Sequence, residues 1–564
     1  MNTKCYRWMA VGLWMMMWGT PVRAQEQTIG LFLNDDRAFE GYTLITPLWH
    51  PSTYLINNEG LVVHAWTHEF QPGSAVYLLE NGHLLRGARS PNPTFNFGGI
   101  GGKVREIAWD DAVVWDFTYS DDRRALHHDV ARLPNGNVLM IAWEMKSAEE
   151  AIAAGRDPGF LSDDALWPEH IIEVRPTPPE GGEIVWEWYV WDHLIQDFDP
   201  TKANYGVVED HPELIDLNYG PTPIADWLHF NAINYNPVLD QIILSVPRFG
   251  ELWVIDHSTT TEEAAGHTGG RAGQGGDLLY RWGNPAAYRA GDASDKKLFF
   301  QHDTQWIETG LPGSDHVLIF NNGTTRPGDT PFSTIHELAL PVLPDGTYAR
   351  TPDGAFAPPT PVWQYEQPEE FYSDFASGVQ RLANGNTLIA ETANGRVFEV
   401  TPEGEKVWEY VSPVVLEGPL RQGALIPQGP TPVPTRLANG LFRAYRYGLD
   451  YPGLRGRTLE PQGLVELPAN IEEGETPIKA ELHQNYPNPF STTTAISFQL
   501  RQPDHVTLTL FDLLGKRITT LTDRFYSLGT HIVHFDAADL PGGVYLYRLE
   551  VGERGSTRAM ILAK

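Results

Sequence analysis

Apolar and polar residues alternate over short runs along most of this chain, the period-two pattern of half-buried strands, and the runs come in pairs. The fullest pair is Leu126 to Ile141, in which Asn135-Gly136 separates two apolar segments. Asn and Gly both accept the positive φ that a tight hairpin turn requires. The unit returns around Asn384-Gly385, and more loosely around Asn81-Gly82 and Asn439-Gly440. Two longer versions, 229–244 and 302–319, turn instead through Asn236-Pro237 and Leu311-Pro312-Gly313. A second kind of hairpin alternates with the first and ends on tryptophan, at Trp66, Trp115, Trp186, Trp282, Trp363 and Trp408. Six inner and six outer hairpins predict six four-stranded blades, an all-β six-bladed β-propeller over residues 25–455. Because the chain opens on an outer hairpin and closes on an inner one, the last blade is expected to draw on both ends, which leaves no long free edge.

Both termini break the pattern. Lys4 and Arg7 precede the apolar run Trp8 to Trp18, and Val22-Arg23-Ala24 offers a cleavage site, so residues 1–24 read as a signal peptide. The run is well short of the roughly 20 apolar residues a membrane span needs, so no span is expected after its removal. The single cysteine, Cys5, lies inside it, which excludes disulfides and thiolate chemistry from the mature chain. Residues 456–480 read as an acidic linker rich in Pro and Gly. From 481 to 564 short alternating runs resume, as in a small Ig-like β-sandwich.

Charge narrows the partners. The formal net charge is −31, and removing the leader, with Lys4, Arg7 and Arg23, makes it more acidic. Nucleic acid is excluded, since phosphate backbones are held by clustered Lys and Arg. An anionic small molecule is still admissible where arginines gather locally, because charges more than about 8 Å apart are screened in a physiological medium.

When the repeats are aligned, His128, His229 and His302 share one position, at the start of the innermost strand; Ser74, Ser377 and Pro432 fill it in the other three. Equivalent positions in a ring converge, so three histidines distant in sequence are expected at one mouth. The returning strands bring Glu144, Arg248, Asn321, Asn322, Glu391 and the loop of Arg326 back beside them. Histidine is the side chain most easily poised as a base or nucleophile near neutral pH, and arginine offers a fork of donors to a tetrahedral oxyanion. The tryptophans read mainly as packing between strands. No H-x-H or H-E-x-x-H spacing supports a metal, and neither a metal nor another cofactor is expected.

Two resemblances sharpen this reading. Gln484-Asn485-Tyr486-Pro487-Asn488-Pro489-Phe490, Leu540-Pro541-Gly542-Gly543-Val544-Tyr545 and the ending Met560-Ile561-Leu562-Ala563-Lys564 resemble the C-terminal sorting domain of the type IX secretion system. That implies export to the surface or medium of a Gram-negative cell, with the secretion machinery as a partner; a carbohydrate-binding sandwich is the alternative. Asp226-Trp227-Leu228-His229-Phe230-Asn231, Arg281-Trp282-Gly283-Asn284-Pro285, Phe300-Gln301-His302-Asp303, Phe320-Asn321-Asn322-Gly323 and Phe442-Arg443-Ala444-Tyr445-Arg446-Tyr447 look like the bacterial arylsulfotransferase family. The family implies transfer of a sulfuryl group from a phenolic sulfate to a phenol, without a nucleotide donor, through a sulfohistidine. By motif His229 and His302 match its axial histidines and Arg326 its sulfate-binding arginine. The family's nucleophilic histidine falls late in the propeller, and this chain has no histidine between His336 and His483. The expected catalytic set is therefore His229, His302 and, by internal symmetry, His128, with Arg326, Arg248, Arg443 and Asn321 on the substrate. A non-catalytic propeller binding a phenolic or glycan ligand is the alternative.

Overall fold

The computed structural model describes residues 27–162, 165–220, 223–328, 330–429, 436–468, 480–500, 504–512, 516–527, 529–538, 540–551 and 554–564. The expected signal peptide, Pro432 and the linker stretch 469–479 lie outside them. The chain divides into two units between Ala469 and Asn470.

Among the described residues, unit one is built mainly of six antiparallel sheets of four or five strands, whose middle strands are buried on both faces, as in Gln241–Val246 and Thr387–Glu391. Sheet one joins the two ends of the unit: Leu441–Gly448 lies first, then Gly41–Pro47, Ser52–Ile56 and Val62–Thr67. Sheets two and three run from Pro72–Leu78 to Val113–Thr118 and from Arg124–Arg132 to Gly182–Tyr189. Sheets four and five run from Ala232–Asn236 to Tyr280–Trp282 and from His302–Trp306 to Trp363–Glu366. Sheet six runs from Gly378–Arg381 to Lys406–Val411, and Gly30–Asn34 adds a fifth strand at its edge. The first strands of consecutive sheets touch in order, and that of sheet six touches that of sheet one.

The pairing expected from both ends is present, but among the described residues Asn439-Gly440 does not turn between two strands of this sheet. Leu441–Gly448 pairs with Gly41–Pro47 from the other end of the unit, and Asn439 is spent on the carbonyl of Ser412, 2.8 Å away. Local turn chemistry yields here to a longer-range pairing that covers a sheet edge.

The tryptophans do more than fill space. Each indole Nε1–H on a fourth strand reaches the turn between the third and fourth strands of the next sheet. Trp66 donates to Ala108 O, Trp115 to Gly181 O and Trp186 to Thr259 Oγ1. Trp282 donates to Pro358 O, Trp363 to Pro402 O and Trp408, from sheet six, to Asn58 O of sheet one. A buried indole needs a partner for its polar tip, and here one residue type meets that need six times while stitching sheet to sheet.

Part of the expected linker also belongs to unit one: Leu61 bridges Leu464, and Leu467 bridges Arg421. Unit two has one sheet of three strands and one of four, closed over Phe498, Leu508, Tyr547 and Met560. Among the described residues no helix is long and apolar enough to cross a membrane.

Candidate active site

The innermost strands are irregular where they begin. Bulges interrupt the first strands of sheets two, three and five at 73–75, 127–129 and 303–304. Ser74, His128, His229 and Ser377 all have positive φ, at 104°, 52°, 61° and 83°, a conformation costly for residues with a Cβ. In sheet five the strain falls one residue later, on Asp303 at 48°. The aligned repeat position is thus a shared backbone feature that re-aims side chains toward the centre.

The structure brings His128, His229 and His302 together. The rings of His128 and His229 stand edge to face with centroids 4.6 Å apart, and the charge state of His229 is felt at His302. All three are nearly inaccessible. Burial, with the neighbouring His229 and His127, drives His128 well below its ordinary pKa, and burial lowers His302 to about 3. Both are neutral imidazoles at physiological pH.

Their hydrogen bonds separate their roles. His229 Nδ1 donates to Asp226 Oδ2 at 2.6 Å, so in the neutral ring Nε2 carries the lone pair. Asp226 also accepts from Trp143 Nε1 at 2.9 Å and from Arg248 Nη2 at 3.1 Å. Burial would raise that carboxyl, but His229 and Arg248 outweigh it and lower it to about 2. The result is an oriented His–Asp dyad with an anion fixed behind it. Phe97 and Phe300 flank the ring at 6.0 and 6.2 Å, and the Arg248 guanidinium lies over Phe97, with its Nε buried and unpartnered. His302 is more constrained: Nδ1 donates to Asn322 Oδ1 at 2.8 Å, and Nε2 accepts the Ala376 N–H at 3.2 Å. The amide of Asn322 is oriented by its own donation to Ser373 O and Ala376 O. His128 faces His127, with the two Nδ1 atoms 2.8 Å apart.

Three expected residues make their hydrogen bonds to groups other than the three histidines. Asn321 turns away from His302, as successive strand residues must; it accepts from Phe299 N and donates to Lys297 O. Arg326 donates to Thr334 Oγ1 and lies over Phe299 and Phe332. Arg443 is held between two aspartates, though its buried Nε has no hydrogen-bond partner among the described residues. Its Nη1 donates to Asp129 Oδ2 and Tyr77 Oη at 2.8 Å each, its Nη2 donates to Asn231 O, and its Nε lies 3.1 Å from Asp303 Oδ1. Asp129 and Asp303 in turn accept from Ile233 N and Val379 N. This knot ties all six sheets together beneath the histidines, and burial raises Asp303 to about 6 in spite of Arg443.

Asn322 was expected beside the histidines and lies there. Three contributors escaped the sequence reading. Asp226 lies inside the motif around His229 without a role being given to it. Phe97 and Glu169 had no signal: Phe97 comes from an irregular loop, and Glu169 is buried at the start of the third strand of sheet three, where it accepts from Phe230 N. Burial, with the charge of Asp226, raises the Glu169 carboxyl well above its ordinary pKa.

A cavity of about 1010 Å³ opens beside the Arg443 knot. Tyr77, Tyr235, Trp306, Tyr445, Tyr447 and Tyr451 line it, with Asp129, Asp303 and Arg443 at its inner end. The three histidines do not. Among the described residues, His229 Nε2 makes no hydrogen bond to another protein group, whereas the ionic groups at the cavity's inner end are paired with one another.

An all-β scaffold holding an oriented His–Asp dyad and an arginine with a spare donor defines a protein suited to transfer of an anionic group. The sequence matches the arylsulfotransferase (ASST) family over residues 34–412, more than half of the chain, and this protein belongs to that family. Residues 484–563 match the secretion system C-terminal sorting domain and form a type IX sorting domain. No curated protein matches the sequence. Similar solved structures include a protein of unknown function from Bacteroides caccae, 13% identical with a TM-score of 0.35, covering 66% of this chain and 94% of that one. Virginiamycin B lyase from Staphylococcus aureus is 9% identical with a TM-score of 0.29, covering 68% and 89%. AztD from Citrobacter koseri is 11% identical with a TM-score of 0.29, covering 73% and 99%.

Proposed function

We propose that unit one is a six-bladed β-propeller and a secreted sulfotransferase that moves a sulfuryl group from a phenolic sulfate ester to a phenol without a nucleotide donor. The observation that carries the mechanism is the Asp226–His229 pair, whose Nε2 is free to act. In the first half-reaction that nitrogen attacks sulfur, an N–S bond forms, the S–O bond to the aryl group breaks and phenolate leaves. Asp226 stabilises the cationic sulfohistidine. The acceptor oxygen then attacks the same sulfur and frees His229, and the acceptor's proton passes to the departed phenolate through His128, which is neutral and adjacent. Sulfuryl transfer needs mainly in-line positioning and stabilisation of the equatorial oxygens, as phosphoryl transfer does. Arg248 supplies donors for them, and Arg326, whose buried Nε has no hydrogen-bond partner among the described residues, is proposed for the same role. Arg443 and His302 are positioning residues, and Asn322 serves where Asn321 was expected.

The aromatic cavity beside Arg443 favours a second reading, a binding module for a phenolic or glycan ligand. Turnover of a chromogenic aryl sulfate, with and without added phenol, separates the two. Release of the chromophore that accelerates with acceptor supports the transferase. Binding without release supports the module.

A further inference from the structure

The remaining cluster of titratable groups lies on the flank of unit one. His193 follows the last strand of sheet three, and His267 and Asp277 stand in the glycine-rich stretch between the third and fourth strands of sheet four. His193 Nδ1 and His267 Nδ1 each lie 2.8 Å from the same oxygen, Asp277 Oδ1. His193 is wholly buried and its ring stacks on Trp188, while the His267 side chain is 61% exposed.

The far nitrogen of His193 settles what the near one offers. Nε2 is 2.8 Å from Ala264 O; a carbonyl only accepts, so Nε2 carries a hydrogen. In the neutral ring Nδ1 then presents a lone pair to the Asp277 carboxylate, and that arrangement is stable only with a cation between them. An imidazole whose outer N–H is fixed on a backbone carbonyl and whose inner nitrogen faces a second imidazole and a carboxylate is the ordinary environment of a metal ligand. The surroundings are built to the same end. A Cβ at Gly276 would come within 2.7 Å of His193 Nε2 and 1.9 Å of Ala264 O, and Trp188 Nε1 donates to Gly276 O. Among the described residues, His193, His267 and Asp277 form a group whose ligand atoms all lie within 4.8 Å of one another.

We propose that these three side chains form a divalent-metal site, with Zn²⁺ as the cation best suited to two imidazoles and one carboxylate. Tetrahedral Zn²⁺ with bonds of about 2.0–2.2 Å sets its ligands about 3.3 Å apart, so the 2.8 Å separations open slightly on binding. The exposed side of His267 leaves the fourth position to solvent. Zn²⁺ displaces the proton otherwise shared between His193 and Asp277 and clamps the glycine-rich stretch to sheet three. The sequence concealed the site because its ligands are far apart and follow no metal-binding spacing.

The test uses untagged full-length chain stripped with a chelator, then titrated with Zn²⁺ by calorimetry and with Co²⁺ by visible absorption. The expected result is one equivalent bound and a rise in thermal midpoint with Zn²⁺, both lost in His267→Ala and Asp277→Asn. His267→Ala, at an exposed position, serves if Asp277→Asn does not fold. A parent chain that binds no Zn²⁺ at micromolar concentration, or variants that bind as many equivalents as the parent, overturns the proposal and leaves a proton-bridged clamp.

Discussion

At the scale of single residues, the site turns on which ring nitrogens are already used. His229 is oriented by Asp226 and keeps Nε2, whereas both nitrogens of His302 are hydrogen-bonded. His229→Ala is therefore expected to cost at least about 10²-fold in turnover of an aryl sulfate, with His302→Ala costing less; steady-state kinetics of the two variants decides between them. Arg248→Lys is expected to raise KM more than it lowers the thermal midpoint, because an ammonium cannot reproduce the fork over Phe97 and Asp226. Burial also makes His302 a source of acid sensitivity. Its ring is neutral in the fold down to about pH 3, whereas the unfolded chain takes up that proton near pH 6.5. Its contribution is thus complete above pH 6.5 and is lost as pH falls toward 3. His302→Gln should flatten the pH dependence of stability in that window by up to about 1.4 kcal/mol per pH unit. Equal slopes in denaturant titrations of both proteins at pH 6.5 and 4.5 would exclude it. The histidines were legible in the sequence because they repeat; Asp226 was not assigned, because an i, i+3 carboxylate is unremarkable until the backbone at His229 turns to positive φ.

At the scale of elements, the tryptophans and the strand Leu441–Gly448 hold the sheets in order. The alternation of turn types and tryptophans made the strand pairs readable, since both signals are local. The partner of Leu441–Gly448 is some four hundred residues away in sequence, and no local pattern distinguishes a strand that closes a sheet from one that begins a hairpin. Trp408 is fully buried and donates from sheet six to Asn58 of sheet one. Trp408→Ala is expected to cost about 3–5 kcal/mol, against about 1 kcal/mol for Trp408→Phe through loss of the hydrogen bond. Equilibrium unfolding of the two variants measures the difference. Arg443 has a comparable place. Arg443→Met leaves Asp129 and Asp303 buried without their cation, a loss of about 3–5 kcal/mol, so a variant of parental stability would remove it from the structural account.

At the scale of the whole molecule, the sequence patterns changed twice, at the leader and near residue 480, and the second change falls close to the division between units. What the pattern missed is that residues 457–467 pack back on unit one, because an irregular segment can be held by isolated bridges without strand periodicity. A chain ending at 468 is expected to keep full turnover and lose export, while one ending at 455 should also lose thermal stability.

The measurement closest to the central claim is rapid-quench mass spectrometry of the chain mixed with an aryl sulfate in the absence of phenol. The account predicts one sulfuryl group on the peptide that carries His229, formed with a burst of released phenol and discharged when an acceptor is added. A sulfuryl group on a different residue, or acceptor-stimulated turnover at the parental rate in His229→Ala, would contradict it.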